Sequence, residues 1–194
     1  ICNKFGVDLK KNICVFGGSV SGKNIENIEA AEIIGKIVAS NNFNIVFGGG
    51  ENGIMGAVAQ SAINYGASTT GIIPSFLLQK DLLHSGHSKK FNTELVRTET
   101  MHQRKKMMYD KSDGFLVLPG GIGTLDECFE VLTWCQLNQI KNKNVGIINF
   151  KGYWDPLINL INHIIKEEFM GMNNLNYFEE IKNLHMLNIF LKNI

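Results

Sequence analysis

Three glycine-rich segments each directly follow a short apolar run: GGSVSG at 17–22, GGGENG at 48–53 and PGGIGT at 119–124. Successive backbone N–H groups in such a turn form a concave anion site, and each segment leads toward a predicted helix whose first N–H groups lack intrahelical partners. A tight turn would explain any one segment by itself. Three of them at one edge of a sheet predict a ligand that carries a phosphate group.

Two common nucleotide motifs fit this chain poorly. The match to GxGxxG at Gly48, Gly50 and Gly53 is a weak sign of a dinucleotide site, because the next predicted strand ends at Pro74 without the expected acid. No GxxxxGK[ST] segment occurs, which argues against a P-loop nucleotidase.

An acid and an arginine are the candidates for chemistry beside the phosphate. Thr124 to Glu127 fits a helix capping box, in which Glu127 would only bind the Thr124 N–H; alternatively, Glu127 faces the ligand from the first turns of the helix. Glu130, three residues later, would share its face, and paired carboxylates near a sugar are typical of glycosidic cleavage. Arg104 begins the only basic triplet, 104–106, which is either a solvated helix face or a source of a planar fork for an anion.

Apolar runs and helical patterns alternate along the chain. Strands are predicted at 12–16, 44–47, 68–73, 94–97, 114–118 and 145–150, and helices at about 25–38, 53–64, 100–111, 125–137 and 154–168. Residues 175–194 are predicted to form a helix with a short extended piece. Continuous apolar strands between helices predict a parallel sheet covered on both faces. We expect an α/β, Rossmann-like, doubly wound sheet in a single domain spanning 1–194.

Composition limits the function classes. The chain has 194 residues and a net charge of +1, so no basic excess indicates nucleic acid or a membrane surface as a partner. The N-terminus has no signal-peptide pattern, and a cytoplasmic location with reduced, buried cysteines is expected.

Several segments together resemble one known family. PGGIGTLDE (119–127) resembles the PGGxGTxxE signature of the LONELY GUY family, and MHQRKK (101–106) resembles its M-x-x-R-K segment. GGGENGIMG (48–56) resembles GGG-x-x-G-L-M-G. Four further segments match in order and spacing: GIIPSFL (71–77), SDGFLVLPGG (112–121), TWCQL (133–137) and GYW (152–154). The resemblance covers about 13–169.

Members of this family are cytokinin riboside 5′-monophosphate phosphoribohydrolases, long described as lysine decarboxylases. The resemblance implies hydrolysis of a nucleoside 5′-monophosphate to the free base and ribose 5-phosphate, in a homodimer, with no metal or cofactor. It implies Arg104 and Glu127 as catalytic residues and a phosphate held by Gly120, Gly121, Gly123 and Thr124. The other predicted substrate-binding residues are Ser19, Gly49, Asp81, Met101, Lys105, Glu130 and Thr133. Asp81 stands where relatives often carry Glu.

Other functions stay open at this point. A non-catalytic carrier resembling molybdenum-cofactor carriers would use the same glycine-rich loops, but would need neither Arg104 nor Glu127. An NAD-dependent oxidoreductase is disfavoured by the missing ribose-binding acid. A true lysine decarboxylase would need a Schiff-base lysine and usually a longer chain.

Overall fold

The fold is built on one parallel sheet, in a computed structural model that describes residues 10–77, 93–139, 143–170 and 178–194. Its strands are β1 (Lys11–Phe16), β2 (Phe43–Phe47), β3 (Thr69–Pro74), β4 (Glu94–Thr98), β5 (Gly114–Val117), β6 (Asn144–Ile148) and β7 (Glu179–Ile181). They pair in the order β4-β3-β2-β1-β5-β6-β7, and every recorded pair is parallel. The predicted doubly wound α/β fold is confirmed.

Within the described ranges, six α-helices whose bounds are defined connect and cover the strands. They are α1 (Glu26–Ser40), α2 (Gly53–Asn64), α3 (Met101–Asp110), α4 (Ile122–Gln136), α5 (Asp155–Lys166) and α6 (Leu184–Lys192). In the C-terminal segment, the predicted helix and short extended piece correspond to α6 and β7. The helix that carries Glu127 begins at Ile122, three residues earlier than predicted.

The two faces of the sheet hold separate apolar clusters, as strand β1 illustrates. Ile13 and Val15 pack on one face with residues of α1, α2 and α6. Cys14 and Phe16 pack on the other face with residues of α3, α4 and α5. The strands therefore carry apolar side chains on both faces, because parallel strands covered by helices expose neither face to water.

The strand order reverses between β1 and β5, since β2 to β4 lie on one side of β1 and β5 to β7 lie on the other. A crevice opens at the carboxyl ends of the strands at such a reversal. The loops after β1 and β5 meet there, where Gly18 N–H donates to Pro119 O at 3.0 Å. Two of the three glycine-rich segments thus border this crevice.

Candidate active site

A cavity of about 480 Å³ occupies the crevice at the carboxyl ends of β1, β2, β3 and β5. Its walls come from all three glycine-rich segments and from the first turns of α3 and α4. The lining residues are Gly17, Gly18, Ser19, Val20, Gly48, Gly50, Met55, Ile73, Leu77, Met101, Arg104, Gly121, Ile122, Gly123, Thr124, Asp126 and Glu127. The lining combines apolar side chains with backbone amides and charged groups.

Arg104 is held in the wall by its own helix and by the sheet. Helix α3 begins with a cap in which the Thr100 hydroxyl accepts from Gln103 N–H at 3.2 Å. One turn later the Arg104 guanidinium, in a residue only 7% exposed, donates through Nε to Ile72 O at 3.0 Å. A side chain at Gly48 would overlap the guanidinium, so the glycine leaves room for it.

Glu127 faces this guanidinium from α4. Its Oε1 lies 3.3 Å from Arg104 Nη1, and the residue is 5% exposed. Burial raises the pKa of Glu127 to about 7, although the charge of Arg104 opposes this effect. The carboxyl group therefore titrates near neutral pH, where groups used in catalysis are commonly found.

The capping-box alternative for Glu127 is wrong, because Gly121 and not Thr124 is the N-cap of α4. Leu125 N–H donates to Gly121 O at 3.1 Å, which closes the first turn. Thr124 is in that turn and buried. The Glu127 side chain instead makes its ion pair with Arg104 across the cavity wall.

The N-terminus of α4 is the part of the cavity best suited to an anion. A Cβ added at Gly121 or Gly123 would meet no atom of the described residues within 4 Å, and neither residue has a left-handed backbone. Neither packing nor backbone conformation requires these glycines. The open space lies over a helix terminus, where the N–H groups and helix dipole favour negative charge.

The N-terminus of α2 is closed by the protein itself. Ile54 N–H and Met55 N–H donate to Gly18 O at 3.0 and 3.3 Å. Gly53, with φ of +65°, packs directly on the backbone of Ser19. The GGGENG segment thus positions the first loop and makes room for Arg104.

Lys105 belongs to a charged network between α3 and α4. Its Nζ lies 3.0 Å from Asp126 Oδ2 and 2.7 Å from Glu130 Oε2, and Tyr109 Oη donates to the same Glu130 oxygen at 2.9 Å. Burial opposes the charge on Lys105, but these hydrogen bonds outweigh it and raise the lysine pKa. The network holds α3 and α4, and hence Arg104 and Glu127, in a fixed relation.

The cavity brings together seven of the predicted site residues: Ser19, Met101, Arg104, Gly121, Gly123, Thr124 and Glu127. Five others lie outside its lining. Gly49 packs on Ile73, Gly120 packs on Thr124, and Lys105 and Glu130 bind each other. Thr133 is exposed and donates to Phe129 O. Asp81 lies outside the described residues.

Sequence reasoning missed several residues of this site. Asp126 lines the cavity and pairs with Lys105, and Gly48 accommodates Arg104. The sequence T-M-H-Q at 100–103 carries a capping signal that indicates Thr100 as the N-cap of α3. No local signal indicated that Tyr153 would donate to Gly120 O, 33 positions earlier in the chain.

The described part of the chain carries neither a metal cluster nor a membrane span. Within it, no three His, Cys, Asp or Glu residues are grouped to hold a metal ion. None of its helices is long and apolar enough to cross a bilayer. Cys14 and Cys128 are buried free thiols and Cys135 is a half-buried one, whereas Cys2 lies outside the described ranges.

Comparison with known proteins identifies the family. A family model described as "Possible lysine decarboxylase" matches residues 55–188. A cytokinin riboside 5′-monophosphate phosphoribohydrolase of Arabidopsis thaliana is 39% identical over 161 residues, or 83% of this chain and 73% of that protein. The chain belongs to the LONELY GUY family.

Two further relatives support the same family assignment. A second Arabidopsis thaliana cytokinin riboside 5′-monophosphate phosphoribohydrolase is 41% identical, covering 83% of this chain and 72% of that protein. A probable enzyme of the same name from Oryza sativa subsp. japonica is 40% identical, covering 83% of this chain and 62% of that protein. The matched segments thus span 62–73% of the length of these three relatives.

Solved structures of low sequence identity share the LONELY GUY fold. The molybdenum cofactor carrier protein of Chlamydomonas reinhardtii superposes with a TM-score of 0.66 at 16% identity, over 94% of this chain and 96% of that one. The molybdenum cofactor binding protein of Rippkaea orientalis gives 0.64 at 18% identity, with the same two coverages. At this identity the likeness concerns the fold alone.

Proposed function

We propose that this chain is a phosphoribohydrolase that cleaves the N-glycosidic bond of N6-modified adenosine 5′-monophosphate, giving the free base and ribose 5-phosphate. The observation that carries the proposal is the buried ion pair of Arg104 and Glu127, which faces a cavity beside the open N-terminus of α4. The names of relatives about 40% identical support the same reaction.

The phosphate anchors the substrate at the start of α4. The N–H groups of Gly121, Gly123 and their neighbours, together with the hydroxyl of Thr124, are the donors that a 5′-phosphate needs there. Binding energy from this non-reacting group then fixes the ribose against Glu127, which lowers the barrier by orientation.

Glu127 acts on the ribose. When the C1′–N bond breaks, its electron pair leaves with the base and positive charge develops on the sugar. The ionised carboxylate, in a residue only 5% exposed, stabilises this charge electrostatically. Water then bonds to C1′ and loses a proton, while the departing base gains one, which balances the reaction without a cofactor.

Arg104 sets the state of that carboxylate. Its charge opposes the effect of burial on the pKa of Glu127, and so keeps a useful fraction ionised near neutral pH. Its Nε bond to Ile72 O fixes the guanidinium, so that Nη1 stays directed at Glu127. Removal of Arg104 therefore changes both the position and the ionisation of the acid.

The base lies against apolar side chains of the cavity. Met55, Ile73, Leu77 and Met101 are among its lining residues. An N6-isoprenoid group adds apolar area that these side chains can bury, at about 25 cal/mol per Å². The proposal therefore favours an N6-prenylated adenine over plain adenine.

Further expectations from the sequence belong to the same proposal. They are a homodimer, a cytoplasmic location, a free nucleotide rather than nucleic acid as substrate, and no membrane partner. Substrate contacts from Gly49, Gly120, Lys105, Glu130 and Thr133 also stay predictions, since none of these five residues lines the cavity. A contact from Asp81, which lies outside the described residues, stays a prediction as well.

The test is chromatography of the protein incubated separately with AMP and with N6-isopentenyl-AMP. We expect equal amounts of free base and ribose 5-phosphate, a higher rate with the prenylated substrate, and loss of product in Glu127→Ala and Arg104→Ala. Binding of either nucleotide without cleavage would contradict the proposal and favour a carrier.

A further inference from the structure

A turn outside the proposed catalytic machinery contacts the loop between β5 and α4, where the substrate phosphate is proposed to bind. Tyr153 follows β6, and its hydroxyl donates to Gly120 O at 2.7 Å. Gly120 lies between the last residues of β5 and the open N-terminus of α4. None of the chemistry proposed above uses Tyr153, although it is bonded to the loop that would hold the substrate phosphate.

The backbone of this turn is unusual. Lys151 has φ of +60° and Gly152 has φ of +74°, so two consecutive residues are left-handed. A left-handed residue other than glycine is uncommon and persists only where its surroundings hold it. Lys151 is tied by an ion pair to Glu26 at the start of α1.

A buried asparagine fixes the same turn from inside. Asn149 is 4% exposed, and its Nδ2 donates to Asp155 Oδ1 at 2.7 Å and to Glu180 Oε1 at 2.6 Å. Its Oδ1 accepts from Trp154 N–H at 2.7 Å. Three elements, β6, α5 and β7, are thereby joined around one side chain, and the position of Tyr153 follows from them.

The bond to Gly120 O determines where the next amide points. No cis peptide occurs in the described residues, and in a trans peptide the C=O and N–H groups point in opposite directions. With Gly120 O directed at Tyr153, the Gly121 N–H is directed away from it, and Gly121 lines the cavity. The preceding carbonyl, Pro119 O, is already occupied by Gly18 N–H.

We propose that Tyr153 is a positioning residue for phosphate binding. It pre-orients the Gly120–Gly121 peptide so that the Gly121 N–H donates to the substrate phosphate without reorganisation of the loop. A donor fixed before binding loses less entropy on binding than a mobile one. The inference rests on the proposed function, because it requires the 5′-phosphate to bind at the start of α4.

The test replaces only the hydroxyl, in Tyr153→Phe. The lost hydrogen bond should weaken ribose 5-phosphate binding, measured by calorimetry, about three- to tenfold. The KM for AMP should rise by a similar factor, while kcat changes less than about twofold. The inhibition constant of adenine, which has no phosphate, should stay the same.

Two further variants sharpen the result. Tyr65→Phe makes the same change on a half-exposed tyrosine at the end of α2, far from the loop, and should alter nothing. Gly152→Ala places a side chain in a left-handed position beside Asp155 and should displace the turn. Since both changes act through one hydroxyl, the double variant Gly152→Ala/Tyr153→Phe should bind ribose 5-phosphate no more weakly than the weaker single variant.

The outcomes separate this inference from the proposed function. A wild-type protein that cleaves AMP, with a Tyr153→Phe variant that binds ribose 5-phosphate equally well, overturns only the positioning role. Equal weakening of adenine and ribose 5-phosphate also overturns it, because general damage to the site would explain that result. A wild-type protein that neither cleaves AMP nor binds ribose 5-phosphate overturns both.

Discussion

The Arg104 guanidinium and the Glu127 carboxylate lie 3.3 Å apart, and each residue is less than a tenth exposed. Burying two charges is unfavourable unless they are paired and further hydrogen-bonded. Among the residues that the structure describes, only Arg104 of this pair has a second partner, Ile72 O. The carboxylate is therefore stabilised incompletely, which agrees with its raised pKa. A substrate that develops positive charge beside Glu127 would supply the further stabilisation that the carboxylate lacks.

The first prediction concerns the pH dependence of the rate. Since the pKa of Glu127 is about 7 and the ionised form is the active one, kcat/KM should rise with pH and level off above about pH 8. The substrate phosphate titrates near pH 6, so the affinity of ribose 5-phosphate over the same range is the control. A rate that falls as pH rises would indicate a protonated Glu127 acting as a proton donor.

The second prediction tests whether Arg104 must bind two partners at once through its planar guanidinium. Lysine keeps the charge, but one ammonium group cannot replace both the Nε bond to Ile72 O and the pair with Glu127. Arg104→Lys should lower kcat/KM by about a hundredfold, equivalent to about 2.7 kcal/mol. The exposed Arg97 on β4 offers the matched control, and steady-state kinetics of Arg97→Lys should equal those of the wild type. Comparable activity of Arg104→Lys would show that charge alone suffices.

The third prediction separates stability from function at Gly123. The methyl group of alanine there meets no atom from elsewhere in the described parts of the chain within 4 Å, and alanine improves helix propensity. The free energy of unfolding should therefore rise by up to about 1 kcal/mol. The added methyl group occupies the space of the phosphate, and ribose 5-phosphate binding should be lost. Thermal unfolding and calorimetry measure the two effects. A Gly123→Ala variant that retains phosphate binding would place the phosphate elsewhere.

The fourth prediction concerns stability against pH. The pKa of Glu127 is about 7 in the folded protein and about 4.3 in an unfolded chain, so the folded protein binds this proton more tightly. The stability that the proton contributes is complete below about pH 4.3 and is lost as the pH rises through 7. The loss is on the order of 4 kcal/mol. The free energy of unfolding of the wild type, from urea titrations, should fall more between pH 5 and pH 8 than that of Glu127→Gln.

The absolute stability of Glu127→Gln does not decide this prediction, because the variant leaves Arg104 buried without its partner at every pH. The difference between the two pH values isolates the titration of Glu127. Identical differences for the wild type and Glu127→Gln would mean that the pKa of the acid is ordinary.

The fold was predictable because its signals are local. Buried parallel strands appear as continuous apolar runs, and glycines mark where they end, so six of the seven strands were located to within about two residues. The start of α4 was not predictable from the sequence, since Ile122 and Gly123 carry no helix signal. The sequence 124–127 was equally compatible with an N-cap at Thr124. Glu127 could either cap the helix or face the cavity, and the tertiary contact with Arg104 distinguishes these two roles.

Four residues of the cavity lining were predictable from the sequence, namely Gly121, Gly123, Arg104 and Glu127. The partners of those residues were not, because they depend on how helices pack. Adjacent Arg104 and Lys105 point to different acids of α4, and Gly48 is required by a guanidinium that lies 56 positions further along the chain. Such relations arise between elements, where single-sequence patterns carry no information.

The most direct measurement is the release of base and ribose 5-phosphate from N6-isopentenyl-AMP by the wild type, Glu127→Gln and the exposed control Glu94→Gln. We predict equimolar products from the wild type and from Glu94→Gln. We predict a rate at least a hundredfold lower for a Glu127→Gln variant that still binds ribose 5-phosphate. Turnover by Glu127→Gln at the wild-type rate, or no cleavage by the wild type, would contradict hydrolysis at this cavity.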